Sequence, residues 1–125
     1  MSGSWYKVQM SPGTTIRSAL ENINNEALRI ALVVDHDQRL LGVVTDGDIR
    51  RGLLNGYGLA GTVESIMNRH PVTAPVDADR GFLVNKMNQL DLLSIPIIDD
   101  GKLVGLETLH NALVKEPVKE NPVFI

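Results

Sequence analysis

A chain of 125 residues is long enough for one compact domain with a hydrophobic core and too short for two independent ones. Twelve basic and fifteen acidic residues leave a net charge of −3, which argues against a nucleic-acid surface, and the lack of cysteine excludes disulfides, thiolate catalysis and thiolate-bound zinc. No apolar run approaches the ~20 residues that span a bilayer, and Met1–Ser4 is too short and polar for a signal peptide, so no membrane partner is expected and the expected location is the cytoplasm.

Trp5–Met10 is a short alternating stretch, closed by a Ser11-Pro12-Gly13 turn. Thr14 or Thr15 then caps a helix whose Ile16, Ala19, Leu20 and Ile23 share one face. Ala31–Val34 and Leu40–Val44 are rich in β-branched residues and flank an acidic turn, so they predict a hairpin. A second helix follows Thr45, carries Ile49, Leu53 and Leu54, and ends in the glycine-rich stretch Gly56–Gly61. Thr62–Met67 predicts a short connecting helix with Val63 and Ile66 as its apolar contacts. The order then recurs: a strand at Val72–Ala74, a helix with Leu83, Met87 and Leu90, a hairpin, and a helix from Thr108 towards Val114. Glu116–Pro122 has linker character, with two prolines that oppose a helix, and Val123-Phe124-Ile125 starts a further apolar strand.

The recurrence is an internal repeat. IALVVDHDQRLLGVVTDGD at Ile30–Asp48 returns as SIPIIDDGKLVGLETLHN at Ser94–Asn111, the second copy one residue shorter in its turn. Two copies of one unit sharing a core are therefore expected, at residues 5–59 and 60–115, with 116–125 leading out. Each copy alone has roughly 55–60 residues, a size at which a single core is marginal. Packing sheet to sheet would cover both and would place two equivalent sites in one chain.

Thr45-Asp46-Gly47-Asp48 has the form of a capping-box variant, with Thr45 as N-cap and Asp48 three residues on. A helix start also presents unpaired N–H groups that suit a phosphate, and a carboxylate suits a pair of ribose hydroxyls. Gly47 removes a side chain where a ligand would approach. Asp35-His36-Asp37 reads as a solvated hairpin tip rather than a metal cluster, because adjacent turn residues rarely converge on one ion. His70 and His110 have no partner in the sequence that would make either a catalytic base. No nucleophile–base pair, metal-ligand set or phosphate-binding glycine loop is present, so neither catalysis nor a metal site is expected of this chain.

The hairpin, the segment Gly42-Val43-Val44-Thr45-Asp46-Gly47-Asp48-Ile49-Arg50-Arg51, the linking Ser65-Ile66-Met67-Asn68 and the second copy resemble a cystathionine-β-synthase (CBS) domain pair over about Trp5 to Lys115. The resemblance implies an α+β fold of two βαββα-type repeats packed sheet to sheet. It implies a regulatory site for an adenine nucleotide (AMP, ADP or ATP), held by the Thr and Asp of each Gly-x-x-Thr-x-x-Asp segment, with no other cofactor. Carried over by position, Thr45 and Asp48 match in the first copy, with Asp46, Gly47 and Arg50 beside them and Gln9 and Met10 along the base. In the second copy Thr108 matches, Asn111 replaces the Asp, and Thr73 and Ala74 are the base-side counterparts. Asn offers one acceptor oxygen and no charge, so a stronger first site and a weaker or empty second one are expected. The alternative is a structural dimerisation module with empty clefts.

CBS pairs commonly form homodimers through their helices, and the apolar helix faces here fit that expectation. They are also usually joined to another domain. Pro122-Val123-Phe124-Ile125 resembles the first strand of a sugar-phosphate nucleotidyltransferase, so a covalently attached catalytic domain of that type is expected to follow. Similar pairs occur in sugar-phosphate isomerases, where they follow the catalytic domain; the pair here starts within five residues of Met1, which favours the nucleotidyltransferase.

Overall fold

The computed structural model describes residues 5–26 and 28–114. The segment 116–125, and with it the expected linker and strand, lies outside the described residues.

Each copy folds into one three-stranded sheet. In the first, β1 (Gln9–Met10) lies parallel to β2 (Ile30–Val34), which pairs antiparallel with β3 (Leu40–Thr45). In the second, β4 (Ala74–Pro75), β5 (Ser94–Asp99) and β6 (Lys102–Thr108) repeat the arrangement. Even the irregularity repeats, with a register shift between Val33 and Val34 and another between Ile97 and Ile98. The helices are α1 (Ile16–Asn25) and α2 (Asp46–Leu54) in the first copy, and α3 (Arg80–Leu90) and α4 (Leu109–Val114) in the second. Trp5–Val8 and Val63–Ser65 are single 3-10 turns, where the sequence predicted a strand start and a short helix.

Both faces of the first sheet are covered, which is why every residue of β2 is buried. Ala31, Val33 and Val44 point to one face and pack with Ile16, Ala19 and Ile23 of α1 and Ile49 of α2. Ile30, Leu32, Val34 and Val43 point the other way and meet Leu103 and Leu106 of the second copy. The two copies therefore pack sheet to sheet through one shared apolar layer, with half-buried Trp5 along its side. A backbone bond from Leu103 N–H to the Gln38 carbonyl, 2.9 Å, fastens the two hairpins together. In the second copy Ile95, Ile97 and Ala74 pack with Leu83, Met87 and Ala112.

The segment after α2 belongs structurally to the first copy. Val63 and Met67 are buried in its core, and Asn68 exchanges two backbone bonds with Val43, at 3.0 and 2.8 Å, as a short extension of the sheet. Two glycines admit this segment. A Cβ on Gly42 would stand 2.7 Å from the Asn68 carbonyl oxygen, and one on Gly52 would stand 2.6 Å from Ile66 Cγ2.

Helix starts follow local chemistry. The Thr15 hydroxyl caps α1 by accepting from Ser18 N–H, and the Asp79 carboxylate caps α3 by accepting from Phe82 N–H. Three apolar helix positions face away from the core. Leu53, Leu54 and Leu90 are exposed, because α2 faces the core through Ile49 and Gly52, and α3 through Leu83 and Met87.

Candidate functional site

β3 delivers Thr45 to the first turn of α2, where the expected capping box forms in both directions. The Asp48 Oδ2 accepts from Thr45 N–H at 2.9 Å and from its hydroxyl at 3.0 Å, while Thr45 Oγ1 accepts from Asp48 N–H at 3.4 Å. Asp48 Oδ1 accepts from Arg51 Nη2 at 2.6 Å. The carboxylate is thus fixed by three donors and mostly buried, while the arginine remains largely exposed. Arg50, expected beside Thr45 and Asp48, pairs with Asp46 at 3.2 Å and is largely exposed. The residue turned to the site is Arg51, one position further. Its spacing of three from Asp48 was the available signal.

Thr45, Asp46, Gly47, Asp48 and Arg51 line a cleft of about 530 Å³. A Cβ on Gly47 would meet nothing closer than Arg51 Nη1, at 3.5 Å, so the protein itself does not crowd that position. The opposite wall comes from two places: Asn68, His70, Pro71 and Val72, which lead into the second copy, and the turn Asp91–Ser94 within it. Leu28, Arg29 and Ile30 close the end.

A second cleft of about 670 Å³ holds Thr108, Leu109, His110 and Asn111 from the second copy. Its wall is built by Lys7, Glu26, Leu28 and Arg29 of the first copy. Thr108 Oγ1 accepts from Asn111 N–H at 3.0 Å, one half of the arrangement at Thr45. His110 lies in this cleft together with Leu109, at the positions Asp46 and Gly47 hold in the first copy.

The expected base-side residues are not brought to these clefts. β1 pairs with β2 at Leu32 and Val33, and the hairpin runs on from there to its tip, whereas Thr45 pairs with Ile30 at the other end. Gln9 and Met10 therefore sit in a separate hollow with Val34, Asp35 and His36, where the Gln38 amide donates to the Gln9 side chain. Ala74 likewise pairs with Ile97 and is buried in the second core, and exposed Thr73 lines neither cleft. The crossed arrangement explains the displacement: the chain leading into each copy, just ahead of its first strand, lines the cleft of the other copy.

At the hairpin tip, Asp35 Oδ1 accepts from the backbone N–H groups of Asp37 and Arg39, at 2.9 and 3.0 Å. The Arg39 bond is the main cause holding the Asp35 carboxyl below its ordinary value. The turn is thereby an Asx turn. Among the described residues no cluster of three or more His, Asp or Glu side chains is arranged to hold a metal ion, and no helix is long and apolar enough to cross a membrane.

The family model described as "CBS domain" matches residues 8–55 and 63–111. An uncharacterised protein of Rickettsia prowazekii is 31% identical over 100 residues, covering 80% of this chain and 31% of that protein. Arabinose 5-phosphate isomerase KdsD of Pseudomonas aeruginosa is 30% identical over 108 residues, covering 84% of this chain and 33% of the isomerase. The chain thus spans about a third of the length of these relatives. Among solved structures, the CBS domain protein NE2398 superposes with a TM-score of 0.76 at 21% identity, over 86% of this chain and 85% of that one. CBSX2 in complex with AMP gives 0.72 at 23% identity, over 84% and 83%. The CBS domain pair of MJ0100, bound to methylthioadenosine and S-adenosylmethionine, gives 0.73 at 24%, over 86% and 88%.

Proposed function

The chain belongs to the CBS domain family, and we propose that it is a regulatory module that binds an adenine nucleotide in the cleft at Thr45 and Asp48. The observation that carries this reading is the capping box that opens into the cleft, with its cation Arg51 already seated beside the carboxylate. The α2 N-terminus and Arg51 meet a phosphate; Asp48 meets the ribose hydroxyls. Pro71 and Val72, rather than Gln9 and Met10, supply the apolar wall for the base. The adenosine ligands of CBSX2 and MJ0100 support the choice of nucleotide.

Binding is tested by titration calorimetry with AMP, ADP, ATP, GTP and S-adenosylmethionine. Micromolar binding of an adenosine ligand, lost in Asp48→Ala, is the expected result. Silence with all five ligands would leave the dimerisation module with empty clefts.

The nucleotide in this reading regulates a covalently attached catalytic domain in the cytoplasm, and the pair is a homodimer through exposed Leu53, Leu54 and Leu113. A sugar-phosphate nucleotidyltransferase is the attached domain that Pro122–Ile125 supports. The likeness to KdsD favours a second reading, a sugar-phosphate isomerase. Sequencing the surrounding open reading frame separates the two.

A further inference from the structure

Arg29 is placed where the two clefts meet. It lines both, together with its neighbour Leu28 and its repeat counterpart Leu93. Its backbone is left-handed, φ 61°, a conformation that costs a non-glycine residue about 1 kcal/mol and draws attention to what it positions. Leu93 at the corresponding place has no such backbone; in the second copy's turn the left-handed residue is Asp91, φ 58°. The Arg29 side chain is exposed, and among the described residues it makes no ion pair or hydrogen bond.

The charges around it give it a role. In the first cleft the charge of the other guanidinium, Arg51, is offset by Asp48, and Asp46 and Asp91 add negative charge, so a phosphate held there by Arg51 still gains from a second cation. In the second cleft the remaining cation is Lys7, which lines it together with Glu26 and His110. An anionic ligand in either cleft is therefore drawn to the same uncommitted guanidinium. A planar guanidinium on a flexible stem can turn to one phosphate, but it cannot serve two in separate clefts.

We propose that Arg29 is a phosphate-binding residue shared by the two clefts, and that it makes them antagonistic for nucleotides: filling one withdraws Arg29 from the other. The inference rests on the nucleotide reading above. Coupling is a property of the ligand's phosphate, so an uncharged nucleoside fills the clefts independently. It is also reciprocal, because each ligand weakens the other by the same factor.

Two-dimensional amide NMR of the whole chain tests this, with Gly47 reporting the first cleft and Asn111 the second during titration with AMP or with adenosine. Expected for AMP is a rise of about fivefold or more in the apparent Kd of one cleft once the other is filled. Arg29→Ala should abolish that coupling and weaken AMP at both clefts by about tenfold, the order expected for one charge-assisted bond. Adenosine binding should be unchanged by the substitution. Independent filling by AMP in the wild type, or a loss at one cleft only, overturns the proposal while leaving nucleotide binding intact. An absence of shifts with both AMP and adenosine overturns the nucleotide reading, and this inference with it.

Discussion

Glu107 stands on β6 where Val44 stands on β3, so a carboxylate is buried at a site that the first copy fills with a fully buried valine. Arg80, the first residue of α3, stands where α1 begins with fully buried Ile16, and it lines the same small cavity as Glu107. A charged pair thus replaces an apolar one between the copies. Glu107 Oε2 is buried without a hydrogen-bond partner. Removing a buried unsatisfied acceptor should stabilise the fold, and Glu107→Val is expected to raise the unfolding free energy by about 1–3 kcal/mol, read by urea denaturation. A destabilised variant would show that the acid is better matched to its surroundings than the packing indicates.

The same residue gives stability a pH dependence of known sign. Burial raises the Glu107 carboxyl above 4.5, with the Arg80 charge acting the other way. Between 4.5 and the raised folded value, the folded chain keeps a proton that the unfolded chain has released. Its contribution to stability therefore falls as pH rises through that interval. Wild type compared with Glu107→Gln should fare better near pH ~4 than at pH ~7; a difference that stays flat with pH would contradict this.

Gly42→Ala should destabilise by about 1–3 kcal/mol, because the new methyl meets the Asn68 carbonyl oxygen and Met67 together. Asn68 also lines the first cleft, so AMP affinity there should fall while AMP binding in the second cleft changes less. Thermal melts and site-resolved titration measure the two effects separately.

The clefts should differ in affinity. Asp48 presents a charged acceptor and Asn111 a neutral one, a difference worth about tenfold. Asn111→Asp should strengthen the second cleft accordingly. An unchanged affinity would instead implicate Leu109 and His110, both of which line it.

The dimer is expected to depend on Leu54 and Leu113, 80% and 52% exposed. Sedimentation equilibrium of the wild type should give twice 13.7 kDa, and Leu54→Asp should give 13.7 kDa with an unchanged circular dichroism spectrum. A wild type already at the lower mass would dispose of the homodimer.

Much of this was readable from residue order. The doubled hairpin, the helix faces at Ile16, Ala19 and Ile23, and the capping box at Thr45 and Asp48 are local patterns, and local patterns survive folding. The base-side wall was not readable, because it depends on which end of β2 the two-residue β1 pairs with, and two residues carry no register signal. Arg50 and Arg51 differ only in helical phase. The placement of Arg29 required knowing how the copies face each other. The substitution of Glu107 for Val44 was open to a residue-by-residue alignment of the repeat and shows the value of extending one through every strand.

The crossed walls of the clefts have a bearing on how such a chain can arise. A polypeptide holding one copy would possess a Thr-x-x-Asp helix start but lack the wall that the other copy contributes, so it could complete a cleft only by pairing with a twin. Such a twin pair would own two identical clefts, unable to diverge. Joining the halves in tandem releases that constraint: Asp48 can persist at one while Asn111 is accepted at the other, and two clefts of unlike chemistry become accessible through single substitutions.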